Sequence, residues 1–293
     1  LRERTDVVAL LAGLLTVTLW GSAFVGIRAA GEALSPGAIA LGRLLVSSAV
    51  LGAVALFRRE LLPTRRDLLS IAIYGVLWLG VYSVALNEAE RHVDAGTAAM
   101  LVNTGPILIA ILAGLFLREG FPPGLFAGCV VAFGGTAMIG LGAAQTGTYT
   151  GFNIVLLVIA ALSYSLGVIV QKTVLARVSP FQVTFLGCVA ATIACLPFAP
   201  TLATEVAKAD SVAIGWMIYL GLFPTALGFA TWTFALQRTS AGRMGSLTYL
   251  APLIAILLGW VVLGETPSWL ALIGGAFCLA GVYLTRRQGK NSK

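Results

Sequence analysis

Thr104-Gly105-Pro106-Ile107-Leu108-Ile109-Ala110, followed by Arg118-Glu119-Gly120-Phe121-Pro122, has a second copy further along the chain. There it reads Leu250-Ala251-Pro252-Leu253-Ile254-Ala255-Ile256, followed by Gly264-Glu265-Thr266-Pro267. Pro106 and Pro252, Glu119 and Glu265, Gly128 and Gly274, and Gly135 and Gly281 are all separated by one spacing. Upstream, Ala85-Leu86 returns as Ala235-Leu236, and a looser match joins Trp20, Arg28 and Ser35-Pro36 to Tyr164, Lys172 and Ser179-Pro180. The chain therefore reads as two copies of one unit of about 145 residues, a periodicity to be read before anything else. The expected boundary divides it into 1–147 and 148–293.

Composition fixes the solvent. The 293 residues are 58% hydrophobic and 11% charged, with mean hydropathy +0.94. Soluble domains carry roughly 25% charged residues, so this chain cannot cover itself with polar surface and belongs in lipid. The net charge of +7 would suggest nucleic acid in a soluble protein. Here the basic residues gather at the ends of apolar runs, so the partner is a membrane surface and nucleic acid is not expected. Cys129, Cys188, Cys195 and Cys278 all lie inside apolar runs. Cys188 and Cys195 sit two helical turns apart, roughly 10 Å, too far to bridge. They read as packing thiols, and no metal-ligand spacing is present.

A membrane helix needs about 20 apolar residues. Runs of that kind lie near 6–28, 36–57, 67–88, 95–117, 123–142, 150–172, 180–199, 211–236, 243–263 and 268–286. The first is too long, and recurs too often, to be a cleaved signal peptide. The longest connections, around 57–67 and 199–211, could not house a soluble domain. The predicted fold is all-α, with ten transmembrane helices in two five-helix repeats. Duplicating an odd number of spans places the second copy upside down, the inverted-repeat plan of many secondary transporters, with the substrate site at the midplane between repeats. One side of this topology collects fifteen Lys and Arg, including Arg58, Arg59, Arg65 and Arg66, and the other only Arg28, Arg91 and Lys208. By the positive-inside rule both termini are expected in the cytoplasm.

The polar residues inside the spans are few. All twelve acidic residues lie in tails, loops or span ends. Ion-driven pumps usually carry a buried carboxylate, so tight ion coupling is not expected, although Glu88 or Glu90 could titrate at a helix end. His92, the only histidine, reads as a solvated loop residue rather than a proton relay. Arg43 is the one charge set inside a span, about 10 Å from its end at 1.5 Å per residue. Its repeat counterpart is Gly187. It reads either as an anchor for a substrate carboxylate or as a lock on backbone carbonyls between helices.

Aromatic residues supply the other cavity candidates. Tyr74, Trp78 and Tyr82 recur every four residues as one stripe, and Tyr82 pairs by repeat with Trp232. Trp20 and its counterpart Tyr164 lie too deep for an interfacial belt. These rings are either core packing or the wall of a cavity suited to an apolar or aromatic solute, or to a cation. Pro106 and Pro252 fall mid-span with Asn103 and Tyr249 just before them, and Pro224 adds a third break. Proline removes a backbone hydrogen bond, so each is a candidate hinge, and the freed carbonyls a candidate contact. Gly124 and Gly128 form a small-residue face on the fifth span, echoed by Ala271 and Gly275, and intramolecular packing is expected over a dimer.

These motifs resemble those of the drug/metabolite transporter superfamily, specifically its EamA family of bacterial ten-span carriers. The resemblance is carried by Leu19-Trp20-Gly21-Ser22, Ser35-Pro36, Gly42-Arg43-Leu44-Leu45, Ala85-Leu86, Pro106 and Leu117-Arg118-Glu119, with second-half echoes at Pro252, Leu263-Gly264-Glu265 and Gly281-Val282. The second half lacks the tryptophan-glycine pair and the arginine. The resemblance implies alternating access, a central cavity built by spans one to four and six to nine, and spans five and ten at the periphery. It implies a multi-pass protein of the bacterial inner membrane, similar to the YddG-type exporters of aromatic and other amino acids. The expected partners are a small-molecule substrate and the lipid bilayer, with no cofactor and a monomer rather than a dimer. The nearest rivals are a sugar-phosphate or nucleotide-sugar exchanger, which needs several cavity cations, and a proton-coupled drug exporter of the same superfamily. A membrane enzyme would need embedded acid–base groups that the spans lack. A purely structural membrane protein is the remaining alternative.

Overall fold

The computed structural model describes residues 2–58, 60–89, 101–143, 151–263 and 268–287, and among them there is no strand. In chain order the described helices are α1 (Arg2–Gly31), α2 (Pro36–Arg58), α3 (Arg65–Ala89), α4 (Gly105–Phe116), α5 (Pro123–Ala143), α6 (Gly151–Val174), α7 (Pro180–Val206) and α8 (Ser211–Arg238). Then come α9, made of Ala241–Leu247 and Leu250–Leu263, and α10 (Trp269–Arg287). Seven of these are long and apolar enough to cross a membrane, and three shorter apolar helices lie within α4, α5 and α10. The outer faces expose Leu15, Val54, Val130, Val158, Ile193 and Leu279, each above 40%. Contiguous apolar surface of that kind is lipid-facing in a chain with so few charges. The connection expected near 199–211 is corrected: Ala199–Val206 is helical and completes α7.

Helix starts follow local chemistry. Thr64, Ser179, Asp210 and Ser240 accept a hydrogen bond from the backbone N–H three residues on, satisfying donors that a helix start leaves orphaned. Pro36 and Pro180 sit at N1, where a missing N–H costs nothing.

The helix breaks recur in both halves. α9 is interrupted by a turn at Thr248-Tyr249, and the chain entering α4 turns at Asn103-Thr104. Pro106 and Pro252 therefore stand in the first turn of a new helical segment. Two widened π-helical segments also correspond, Gly75–Tyr82 in α3 and Gly221–Leu227 in α8. The second contains Pro224, whose missing N–H forbids the ordinary α bond.

Packing between the halves is reciprocal. Trp20 on α1 reaches Pro224 on α8, while its counterpart Tyr164 on α6 packs on Trp78 of α3. α5 and α10 form the most extensive helix pair. A Cβ on Gly128 would meet the Gly281 carbonyl at 2.6 Å, and one on Gly135 would meet the Gly274 carbonyl at 2.5 Å. Numbers rise along one helix as they fall along the other, so the pair is antiparallel. The close face uses Gly128, Gly135, Gly274 and Gly281 rather than the expected Gly124/Gly128 with Ala271/Gly275. Gly275 instead packs on Leu253.

Candidate functional site

A cavity of about 130 Å³ lies between α1, α2, α3, the start of α4, α6, α8 and the break in α9. Its aromatic wall is Trp20, Trp78, Tyr82, Tyr164 and Phe229. Its polar wall is Arg43, Ser83, Asn87, Asn103 and Thr248, and Pro252 closes the side at the α9 break. The α1 residues Trp20, Ala23 and Ile27 come from the later half of that helix, and Arg43 from the early half of α2. The cavity thus extends from mid-height into the half of the molecule away from the N-terminus. Below it, Val17, Trp232, Leu236, Met244 and Leu247 are each at most 1% exposed and seal the other half.

The rings form one cluster at the cavity floor. Trp20 and Trp232 centroids are 5.1 Å apart, Trp78 and Phe229 5.0 Å, and Trp78 and Tyr164 5.0 Å. Edge and tilted contacts at these distances are favourable beyond plain apolar burial. A buried polar lattice supports the cluster from beneath. The Trp232 indole donates to Gln171 at 3.0 Å, Gln171 donates to Thr233 at 3.0 Å, and Thr233 donates to the Phe229 carbonyl at 2.6 Å.

Arg43 enters from α2 and lines the same cavity. Its Nε donates to Thr225 Oγ1 at 2.8 Å. Nη1 and Nη2 have no hydrogen-bond partner among the described residues, and the side chain is partly exposed to the cavity. At the equivalent crossing in the other half, a Cβ on Gly187 would lie 2.5 Å from the Tyr74 ring, and one on Gly75 2.3 Å from the Gly187 carbonyl. Tyr74 and Gly75 thus fill the space that an arginine would need there.

Of the residues nominated from sequence, Trp20, Arg43, Trp78, Tyr82, Asn103 and Tyr164 line the cavity. Tyr74, Trp232 and Tyr249 are each 0% exposed and lie outside the lining. Pro252 lies on the wall, whereas Pro106 and Pro224 do not. Glu90 and His92 lie outside the described residues. Lys172, a cation the phosphate-carrying rival would need, is turned away: its Nζ donates to the carbonyls of Leu236 and Thr239 at 2.6 and 2.7 Å, at the end of α8. Sequence reasoning missed Phe229, Asn87, Ser83 and Thr248. Thr248 was findable, because it adjoins Tyr249 in the duplicated break.

A family model described as the EamA-like transporter family matches residues 7–141 and again 151–287. A probable terminal-alkyne amino-acid exporter of Streptantibioticus cattleyicolor is 36% identical over 96% of this chain and 94% of its own length. The uncharacterized transporter YdfC of Bacillus subtilis is 33% identical over 97% of this chain and 92% of its own. A solved crystal structure superposes with a TM-score of 0.79 at 21% identity, covering 97% of this chain and 98% of that one. At that identity the likeness carries the fold alone.

Proposed function

The chain belongs to the EamA-like transporter family, and from that premise we propose that it exports amino acids, aromatic ones among them, and similar small metabolites by alternating access. The reading includes ten spans in two inverted repeats, both termini cytoplasmic, in the inner membrane of a bacterial cell. One observation carries it. At mid-height, Arg43, whose Nη1 and Nη2 have no hydrogen-bond partner among the described residues, lines the same cavity as a cluster of aromatic rings.

A guanidinium fork matches a carboxylate with two parallel N–H···O bonds. The rings of Trp20, Trp78, Tyr164 and Phe229 give an apolar or aromatic side chain its partner, and their faces also attract an ammonium group. A cavity of 130 Å³ is close to the ~150 Å³ that accepts benzene in an engineered protein core. That supports a small solute rather than a nucleotide-sugar. Among the described residues Arg43 is the one Lys or Arg on the wall, one cation where a phosphate dianion favours several. The name of the Streptantibioticus relative supports the amino-acid class.

For movement, the reading assigns rocking of the two halves, with the α4 and α9 breaks at Pro106 and Pro252 and the π segment at Pro224 as hinges. Asp and Glu are absent from the described cavity wall, which supports facilitative transport over tight proton coupling. Uptake of labelled amino acids into liposomes holding the purified protein tests this, with and without a pH gradient. Saturable uptake, indifferent to the gradient, is expected. Arg43→Ala should weaken apparent affinity about tenfold or more, the scale of a lost charged hydrogen bond. Uptake of no amino acid, or wild-type affinity in Arg43→Ala, would overturn the assignment.

A further inference from the structure

We propose that Thr225 is a positioning residue of the substrate site. Its hydroxyl holds Arg43 by Nε and so fixes the Nη1/Nη2 edge toward a substrate carboxylate. The proposal rests on the carboxylate-anchoring reading above.

Thr225 is 1% exposed and does not line the cavity, so its effect on a substrate must pass through another residue. Its hydroxyl oxygen lies 2.7 Å from the Leu220 carbonyl and 2.8 Å from Arg43 Nε. A guanidinium only donates, so the hydroxyl accepts from Arg43 and spends its single proton on the carbonyl. That carbonyl is available because residue 224 is proline and offers no N–H to it. The proline thus removes the ordinary α bond to that carbonyl, and a lone pair of the carbonyl takes the threonine hydroxyl and orients it. The orientation turns a lone pair toward α2. With Nε engaged, the end-on pair Nη1 and Nη2 is the fork left for a substrate, and one fork takes one carboxylate.

The other half of the chain supplies an internal control. By the spacing that pairs Tyr82 with Trp232 and Ala85-Leu86 with Ala235-Leu236, Thr225 corresponds to Gly75. Against Gly75 stands Gly187 in place of Arg43, its carbonyl 2.3 Å from where a Gly75 Cβ would lie. The cation and its hydroxyl partner are thus present together or absent together. A hydroxyl that served only to mend the proline break would need no cation opposite. Trp20 Nε1 already engages the same irregular segment at the Pro224 carbonyl, at 3.1 Å.

The test measures discrimination rather than affinity alone. Binding of radiolabelled L-phenylalanine to the full chain in detergent is competed with phenethylamine, which keeps the ring and amine but lacks the carboxylate. L-leucine and isoamylamine form a second pair. The wild-type protein should prefer each amino acid over its amine by tenfold or more. Thr225→Val should lose at least fivefold of that preference, through weaker amino-acid binding with amine binding unchanged. Thr225→Ser should retain it. Thr225→Ala gives the same readout if the valine variant does not fold.

Full preference in Thr225→Val or Thr225→Ala beside a lost preference in Arg43→Ala would overturn the Thr225 assignment and leave the functional reading standing. Equal weakening of acid and amine would show a structural role and also overturn it. A wild-type protein that binds neither amino acid, or does not distinguish it from its amine, removes the functional reading and this assignment with it.

Discussion

Tyr74 carries a hydroxyl that is fully buried and has no hydrogen-bond partner among the described residues, and so does Tyr249. A buried unsatisfied hydroxyl costs about 1–3 kcal/mol relative to a satisfied one. Tyr74→Phe and Tyr249→Phe should therefore unfold at the same temperature as the parent or a higher one. All four cysteines are buried, so a thiol-reactive dye that fluoresces on exposure reads this directly. A fall of several degrees would mean that these hydroxyls have partners in the membrane. Gly75→Ala should go the other way, because its Cβ would press on the Gly187 backbone. Overpacking costs about 1–3 kcal/mol. The sequence made the stripe Tyr74, Trp78, Tyr82 legible, but not which rings meet a cavity. Spacing of four suits an α-helix, and the π segment beginning at Gly75 turns more slowly. Tyr74, just before it, is delivered to the core, whereas Trp78 and Tyr82, inside it, reach the wall. The partner of Arg43 was hidden for another reason: the sequence showed Pro224 as a break, but not that Thr225 would be turned by it.

At the scale of elements, the end of α4 shows how one backbone conformation sets a long-range contact. Arg118 has φ 56°, in the left-handed region that favours glycine, and Gly120 follows at φ 74°. Glu119 N–H bonds back to the Ala113 carbonyl at 3.3 Å, the helix-closing bond that such a turn makes possible. Glu119 is thereby aimed at the start of α9, where its carboxylate accepts from Ala241 N–H at 2.8 Å and Gly242 N–H at 3.3 Å. The repeat places Gly264 where Arg118 stands, so the second copy carries the residue this turn prefers. Left-handed geometry costs a non-glycine residue about 1–2 kcal/mol. Arg118→Gly should raise thermal stability and leave transport intact. Glu119→Ala should lower it by about 1–2 kcal/mol, the scale of a lost helix cap. Equal stability of parent and Arg118→Gly would mean that the arginine side chain offsets its own strain. The duplicated prolines and the Leu-Arg-Glu and Leu-Gly-Glu triplets were plain in the sequence. Their tertiary targets were not, because a capping carboxylate is identified only once the facing helix is in place.

For the whole molecule, the duplication read from sequence corresponds to reciprocal contacts in space, Gly128 with Gly281 and Gly135 with Gly274. The direction in which the molecule faces adds a separate, testable consequence. The cavity lies in the half away from the N-terminus, while Val17, Trp232 and Met244 shut the other half. The positively charged residues collect on the shut side, at Arg58, Arg65, Arg177 and Arg238 among others. That side is pinned by Arg177 on Asp67 at 2.7 Å and by Glu119 on α9. If basic loops face the cytoplasm, the cavity of this state faces outward. A cysteine at Asn87, on the cavity wall, should then react in intact cells with a thiol reagent that cannot cross the membrane. A cysteine at Thr231, on α8 toward the shut side, should react only after the cells are opened, if at all. The buried native cysteines give a low background. The reverse pattern would invert the topology and make this state inward-facing. Protection of the Asn87→Cys variant by an added amino acid would further join orientation to substrate, because the carrier would be occupied from the same side that the reagent enters.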